Sequence, residues 1–262
     1  MKKIKIVIIT CCKTGYASRA IPVLVDSKKV IIKKVIFAKN FTKQTKKYYL
    51  KKISKILKIG FFGALNGIRI RHWFEDTNSE NIFNVCSKFN IEITETGFLN
   101  SNNTVKEVLS CDPDIGLSLG NSYISEKIFS IPKFGFLNIH SEILPEYQNG
   151  QSIIWPIYNS DITTGFTIHK VEKKIDQGNI LFQEEYPIIF YKSLSKTVKK
   201  NLEIAFDKAP LALKKVCENI EYFLKNSTTQ LNGNYYTTPS ISQFIIMVKN
   251  NKSLHKKYLK FK

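Results

Sequence analysis

The opening of the chain constrains the fold more than any other stretch. Ile4 to Thr10 is an apolar run rich in β-branched residues, Tyr16 to Asp26 carries helical spacing, and Val30 to Ala38 is a second β-branched run. Near-continuous apolar runs of this length are what strands covered on both faces require. Strand, helix and strand in succession need a crossover, so the two strands lie parallel in a sheet with helices on its faces. The intervening turn, Cys11-Cys12-Lys13-Thr14-Gly15, has neither GxGxxG nor Gly-Lys-Ser/Thr. A dinucleotide fingerprint and a P-loop are therefore excluded.

A chain of 262 residues, 43% of them hydrophobic, can bury the core of an α/β domain with a small appendage. No apolar run is long enough to span a bilayer. The start, Met1-Lys2-Lys3-Ile4-Lys5 before Ile6 to Thr10, has the outline of a signal peptide. Its apolar run is too short, and Cys11-Cys12-Lys13 stands where small cleavage-site residues would be needed. Cys11, Cys12, Cys86, Cys111 and Cys217 are odd in number and form no CxxC pair, which speaks against a disulfide framework or a zinc site. A reducing cytoplasm is the expected compartment, and no metal is implied. The net charge of +19 comes from 40 basic and 21 acidic residues. Its lysines are dispersed in pairs along the chain, which fits solvated helix faces better than a nucleic-acid site, while still attracting anionic ligands.

A segment at about residues 43–78 interrupts the alternation of strands and helices. A basic helix leads into Ile59, Phe61, Phe62, Leu65, Ile68, Ile70, Trp73 and Phe74, broken by Gly60, Gly63 and Gly67. A helical insertion packed on the core is expected, with a membrane-surface element, a dimer contact or a lid as alternatives. Ser79 to Phe89 then reads as a helix capped by Ser79, Ile91 to Thr94 as a strand, Val105 to Ser110 as a helix and Asp114 to Leu119 as a strand. Gly135 to Ile139 is the next strand. Beyond Pro187, Ser193 to Leu224 is helical, broken or kinked near Pro210. A turn at Asn232-Gly233-Asn234, a helix from Ser240 to Lys249 and a loosely ordered basic tail, Asn250 to Lys262, follow. The expected division is a catalytic domain over 1–190 and an extension over 191–262.

Chemistry concentrates between Phe134 and Gln183. Asn138 and His140 are two apart, so on a strand they share a face. Asp176 stands between two strand-like runs, Thr164 to Val171 and Ile180 to Ile189. A histidine moves protons near neutral pH, an amide N–H steadies a carbonyl oxygen that gains charge, and a carboxylate orients an imidazole. Together these groups suit acyl transfer to an amine.

At these residues the sequence resembles the folate-dependent formyltransferase family. The shared pattern is Asn138-Ile139-His140, Leu144-Pro145 through Gly150, Thr164 to His169, and Asp176-Gln177-Gly178. The resemblance implies a Rossmann-like α/β core, with a mostly parallel twisted sheet flanked by helices, and a small C-terminal extension. It implies that His140 is the catalytic base, with Asn138 at the oxyanion and Asp176 supporting the imidazole; His169 is expected to be structural. N10-formyltetrahydrofolate would be the co-substrate, bound near Leu119, Gly120, Asn121, Tyr123 and Ile124. Gln148, Asn149, Gly150, Tyr235 and Tyr236 are the expected acceptor-binding residues. The family loop usually reads Pro-Ser-Leu-Leu-Pro and then Arg-Gly, whereas this chain has Ser141-Glu142-Ile143-Leu144-Pro145 and Gln148-Asn149-Gly150.

Among the branches of the family, the one that formylates glycinamide ribonucleotide resembles a shorter chain with a Gly-Ser-rich first turn. The methionyl-tRNA branch carries a C-terminal β-barrel for which few strand-like runs remain here. The sugar branch fits best, because it resembles this chain in a modest extension with an aromatic segment, here Tyr235-Tyr236-Thr237-Thr238-Pro239. The expected acceptor is a nucleotide-linked, dTDP-linked amino-dideoxysugar destined for bacterial surface polysaccharide (O-antigen), and a homodimer is expected. Methionyl-tRNA formylation, with tRNA as a partner only in that case, and formyltetrahydrofolate hydrolysis are the alternatives.

Overall fold

The computed structural model describes residues 2–40 and 46–259. Seven strands form one sheet: β1 (Ile4–Thr10), β2 (Val30–Asn40), β3 (Ile93–Phe98), β4 (Ile115–Ser118), β5 (Phe136–His140), β6 (Thr163–Lys170) and β7 (Ile180–Pro187). Their order is β3-β2-β1-β4-β5-β6-β7. The first five are parallel, and β6 and β7 add an antiparallel hairpin at one edge. Alternation along β1 explains the layers. Ile6 and Ile8 join the core on one face and Val7 and Ile9 that on the other, as a period of two demands. Gly116 of β4 lets the Phe136 ring pack flat on the sheet, since a Cβ there would come within 2.4 Å of that ring.

One face is covered by α1 (Tyr16–Val25), α4 (Ile82–Lys88), α7 (Ile154–Tyr158), α8 (Leu194–Glu218) and the N-terminal part of α10 (Ile241–Leu259). The other carries α5 (Asn102–Ser110) and α6 (Glu126–Phe129). Val198, Leu202 and Ala205 of α8 share one core with Ala17, Ala20 and Ile21 of α1, so the residues after 190 close the same sheet face. A short helix α9 (Ile220–Lys225) follows α8.

Several expected boundaries shift, each for a local reason. The cap of α4 is Asn81, whose side chain accepts from Phe83 N–H; Ser79 is instead taken by Gly15 N–H at 2.8 Å. The strand expected at Ile91 to Thr94 is β3 at Ile93–Phe98, because its pairing with β2 runs from Val35 to Asn40. Pro210 does not break α8. It is buried on the core-facing side, and the helix ends only at Asn219, so packing along that face outweighs one missing backbone donor. The expected loose tail is helical through Leu259, with the Asn250 and Asn251 amides bonded to carbonyls of Ile157, Tyr158 and Tyr191; residues 260–262 lie outside the described residues. The interrupting segment forms α2 (Lys46–Ile59), α3 (Phe61–Ile70) and a 3-10 turn, Arg71–Phe74. Its expected first residues, 43–45, lie outside the described residues.

Candidate active site

The order of the sheet reverses between β1 and β4, and ligands of open α/β sheets bind outside the strand ends at such a point. There a cavity of about 930 Å³ opens between the turn after β1, the loop after β4 and the end of β5. The turn after β1 is fixed from below: Ile82 N–H donates to Lys13 O at 2.7 Å and Gly15 N–H to Ser79 Oγ.

Asn138 and His140 leave β5 half-buried, and both line this cavity with His169 and Asp176. His169 faces Asn138 across the β5–β6 pairing. Its Nδ1 donates to Lys170 O at 2.9 Å, and its Nε2 lies 3.1 Å from Asn138 Nδ2. The Asn138 amide keeps its second N–H for a ligand. On His140, Nε2 donates to Tyr147 O at 2.7 Å. That bond fixes the tautomer and leaves Nδ1 as the basic nitrogen, 3.6 Å from Asp176 Oδ2.

Asp176 reaches this position because the turn doubles back tightly. Its own φ is +55°, which an aspartate tolerates. Gly178 lies against the Lys170 carbonyl, where a Cβ would come within 1.9 Å of the oxygen. The carboxylate sits between two imidazoles, with His169 Nε2 3.5 Å from Oδ1, and accepts from Asn149 N–H at 2.9 Å. Burial opposes its charge, yet the two histidines and that N–H hold it well below the usual carboxylate range. At neutral pH the site therefore contains a fixed anion beside a nitrogen able to take a proton.

Gly120, Asn121, Tyr123 and Ile124 line the cavity, whereas Leu119 is buried with its N–H on Ile9 O. Asn149 and Gly150 also line it. Gln148 is buried and turned toward Gln177 and Gln230. Tyr236 stacks on Tyr147, ring centroids 5.4 Å apart, and packs on Trp155 at 4.6 Å. Tyr235 is exposed, and its hydroxyl is held above its ordinary value by partial burial and by the Asp176 carboxylate.

Residues 228–237 form a strap over these loops. Thr228 pairs with Ile180, and Gln230 Nε2 donates to Gly178 O at 2.6 Å. Gln148 N–H donates to Asn234 O, Tyr236 N–H to Gln148 O and Asn149 Nδ2 to Tyr236 O, each at 2.9 Å. The strap thus ties the loop after His140 to the turn that carries Asp176.

Sequence reasoning missed several groups. Lys13, Lys55, Arg71 and Lys174 line the cavity, as do the carboxylates Glu75, Asp76, Glu172 and Asp176. Asn121 Oδ1 and Gln151 Oε1 are buried acceptors without a donor among the described residues, and both residues line the cavity. Behind the loop, Glu142 is 1% exposed. It accepts from Ile153 N–H and from Thr164 Oγ1, and burial pushes its carboxyl up to about 8. The break with the family pattern at Ser141-Glu142 was the one available signal for it. Among the described residues, no group of three or more His, Cys, Asp or Glu side chains could hold a metal ion.

Residues 98–210 match the formyl transferase family. A methionyl-tRNA formyltransferase of Ureaplasma urealyticum serovar 10 is 38% identical over 84 residues, 32% of this chain and 28% of that protein. A GDP-perosamine N-formyltransferase of Brucella melitensis is 29% identical over 131 residues, 50% of each. The chain spans about a quarter to a half of the length of the curated relatives it matches. Among solved structures, an N-formyltransferase from Helicobacter canadensis, in complex with folinic acid and dTDP-3-aminofucose, superposes with a TM-score of 0.57. At 19% identity it covers 97% of this chain and 82% of that one, a likeness of fold.

Proposed function

We propose that this chain, which belongs to the formyl transferase family through residues 98–210, moves the formyl group of N10-formyltetrahydrofolate to the amine of a nucleotide-linked amino sugar. The observation that carries the reading is the convergence of Asn138, His140 and an ionised Asp176 on one cavity wall. The folate supplies an activated formyl carbon whose N10 can depart. A donor of that kind fits the cavity on two counts: lining cations such as Lys13 and Arg71 can pair with folate carboxylates, and Asn121 Oδ1 and Gln151 Oε1 can accept from its N–H groups.

The residues act in a defined order. His140 Nδ1 takes the proton of the amine as the new C–N bond forms. Asn138 N–H donates to the formyl oxygen as it gains charge, which is worth most in a site shielded from water. Asp176 stays ionised and steadies the imidazolium, and His140 returns the proton to N10 as the old C–N bond breaks. His169, whose Nε2 lies beside both Asn138 and Asp176, is a positioning residue and takes no part in proton transfer.

The acceptor we infer is a dTDP-linked amino-dideoxysugar for surface polysaccharide (O-antigen) synthesis, in a cytoplasmic homodimer. The Helicobacter structure with a dTDP-linked aminosugar supports this reading. The Brucella relative acts on a GDP-linked sugar, so the base is the open point. The test is an acceptor screen with N10-formyltetrahydrofolate, following tetrahydrofolate release and product mass. Its panel holds dTDP-, UDP- and GDP-linked amino sugars, methionyl-tRNA, glycinamide ribonucleotide and a control without acceptor. A formylated sugar nucleotide is expected. Formylated tRNA, or folate turnover without acceptor, would replace the sugar reading by a tRNA enzyme or a hydrolase.

A further inference from the structure

The segment α2–α3 turns its apolar residues the wrong way for a core helix. Leu50, Ile53 and Leu57 recur at the spacing of one helix face, and all three are exposed, Leu57 at 79%. Ile59, at the end of α2, is buried. Beyond Gly60 the exposed row continues through Phe61, Phe62, Leu65 and Ile68, with Phe62 at 68% and Ile68 at 73%. Gly63 and Gly67 provide the opposite, inward side of α3. A Cβ on Gly63 would come within 3.1 Å of the Ser240 backbone, and one on Gly67 within 2.6 Å of the Thr238 side chain. The small residues are therefore used to seat α3 on the body, and the large ones face out.

Charge decides what such a surface fits. Between positions 46 and 74 stand six lysines and two arginines, and no aspartate or glutamate. α10, whose start lies against α3, adds exposed Ile241, Ile245 and Ile246, four lysines and again no acidic residue. A second copy on the same face would bring two such positive surfaces together, with no acidic residue in these segments to offset them. A nucleic acid would satisfy the lysines and leave a row of Phe, Leu and Ile in water. An anionic bilayer surface satisfies both: apolar side chains enter the headgroup boundary while the lysines meet lipid phosphates.

We propose that α2–α3 and the start of α10 form a docking surface for membranes rich in anionic phospholipid. It uses residues outside the catalytic cluster and stands whether or not the acceptor is a sugar. Docking would hold the cavity, one wall of which is made by Lys55, Gly67 and Arg71 of the same segment, beside the bilayer. A dimer of this protein would form through another face.

The experiment is flotation of the intact chain with phosphatidylcholine vesicles, with and without a fraction of phosphatidylglycerol, at low and high salt. Capture is expected on the anionic vesicles, about tenfold above neutral ones and weakened by salt. The double variant Leu57→Asp, Phe62→Asp should lose about tenfold in capture, with an unchanged circular dichroism spectrum and unchanged formyl transfer to a soluble acceptor. Lys51→Glu should weaken capture on anionic vesicles alone. The proposal is overturned by failure to float with anionic vesicles or by undiminished capture of the double variant. It is equally overturned if that variant breaks an oligomer in sedimentation velocity, which makes the face a self-interface. Retention of vesicle capture only when RNA bridges the two would assign the lysines to nucleic acid.

Discussion

Two carboxyl groups lie on opposite sides of the loop that follows His140, and they answer burial in opposite ways. Asp176, on the cavity side, stands between two imidazoles and accepts from Asn149 N–H, so it stays charged despite its burial. Glu142, on the inner side, has no ion-pair partner among the described residues. Its partners are the Ile153 N–H and the Thr164 hydroxyl, and the nearby Asp161 adds to the effect of burial, so it keeps its proton up to about 8. Glu142 lies somewhat deeper than Asp176, but the charge of their neighbours sets the opposite directions. One region keeps a charged carboxylate beside the imidazole proposed as the base, and the other holds a neutral acid against a backbone N–H and a hydroxyl.

The comparison is most exposed at Asp176. Replacing it by Asn keeps the shape and removes the charge, and should lower kcat by about three orders of magnitude; tetrahydrofolate release at saturating acceptor reads the loss. A rate within tenfold of the parent would mean that the fixed anion is not what supports His140. His140→Ala and Asn138→Ala should each cost about two or more orders in the same assay. Near-normal turnover by either correctly folded variant would break the mechanism.

On the inner side, Glu142→Ala should lower stability by about 2–4 kcal/mol in urea unfolding. It orphans the Ile153 N–H and the Thr164 hydroxyl and leaves a void. Glu142→Gln, which retains an acceptor, should cost less. A loss equal to that of the alanine variant would show that the acid's proton, rather than its shape, holds the loop.

The sharpest distinction between the regions is the sign of their pH dependence. Folded Glu142 holds its proton to about 8, while the unfolded chain releases it near 4.5. Between those values the folded state binds more protons, so this contribution is full below 4.5 and lost as pH rises toward 8. Asp176 is the reverse. Its folded value lies below the unfolded 3.8, so its contribution is present above 3.8 and lost as pH falls below it. Urea midpoints measured against pH should decline less toward pH 8 in Glu142→Gln and less toward acid in Asp176→Asn. The smallest effect belongs to the strap. Tyr236→Phe loses the Asn159 Nδ2 hydrogen bond to its hydroxyl and should cost about 1 kcal/mol by thermal denaturation.

What the sequence revealed follows the same physical divide. The parallel strands were legible because burial on both faces leaves long apolar runs, and the period of two along β5 gave Asn138 and His140 a common face. Asp176 rides on a turn, so its place between two strand-like runs suggested it and the family pattern sharpened it. The groups that complete the site were hidden for different reasons. Tyr147 O and Asn149 N–H act through the backbone, which no residue type announces. Glu142 reads as a surface residue until the fold buries it. Ser79 and Asn81 are equally good caps, and the choice fell to a distant group, Gly15 N–H, that claims Ser79. The outward apolar row of α2 and α3 is periodic in the sequence, but periodicity does not say which way a face points.

The strap has a consequence for how the protein comes into being. A ribosome delivers residues in order, so Asn138, His140 and Asp176 are all translated well before the segment that ties their loops together. Until residues 228–237 emerge, the turn at Gly178 lacks Gln230 and the loop at Gln148 lacks the Asn234 and Tyr236 backbone. α8, which seals the face of the sheet carried by α1, also comes late. Although domains tend to fold from the N-terminal side during synthesis, this site is completed backwards, its earliest groups waiting for a clasp translated about fifty residues after Asp176.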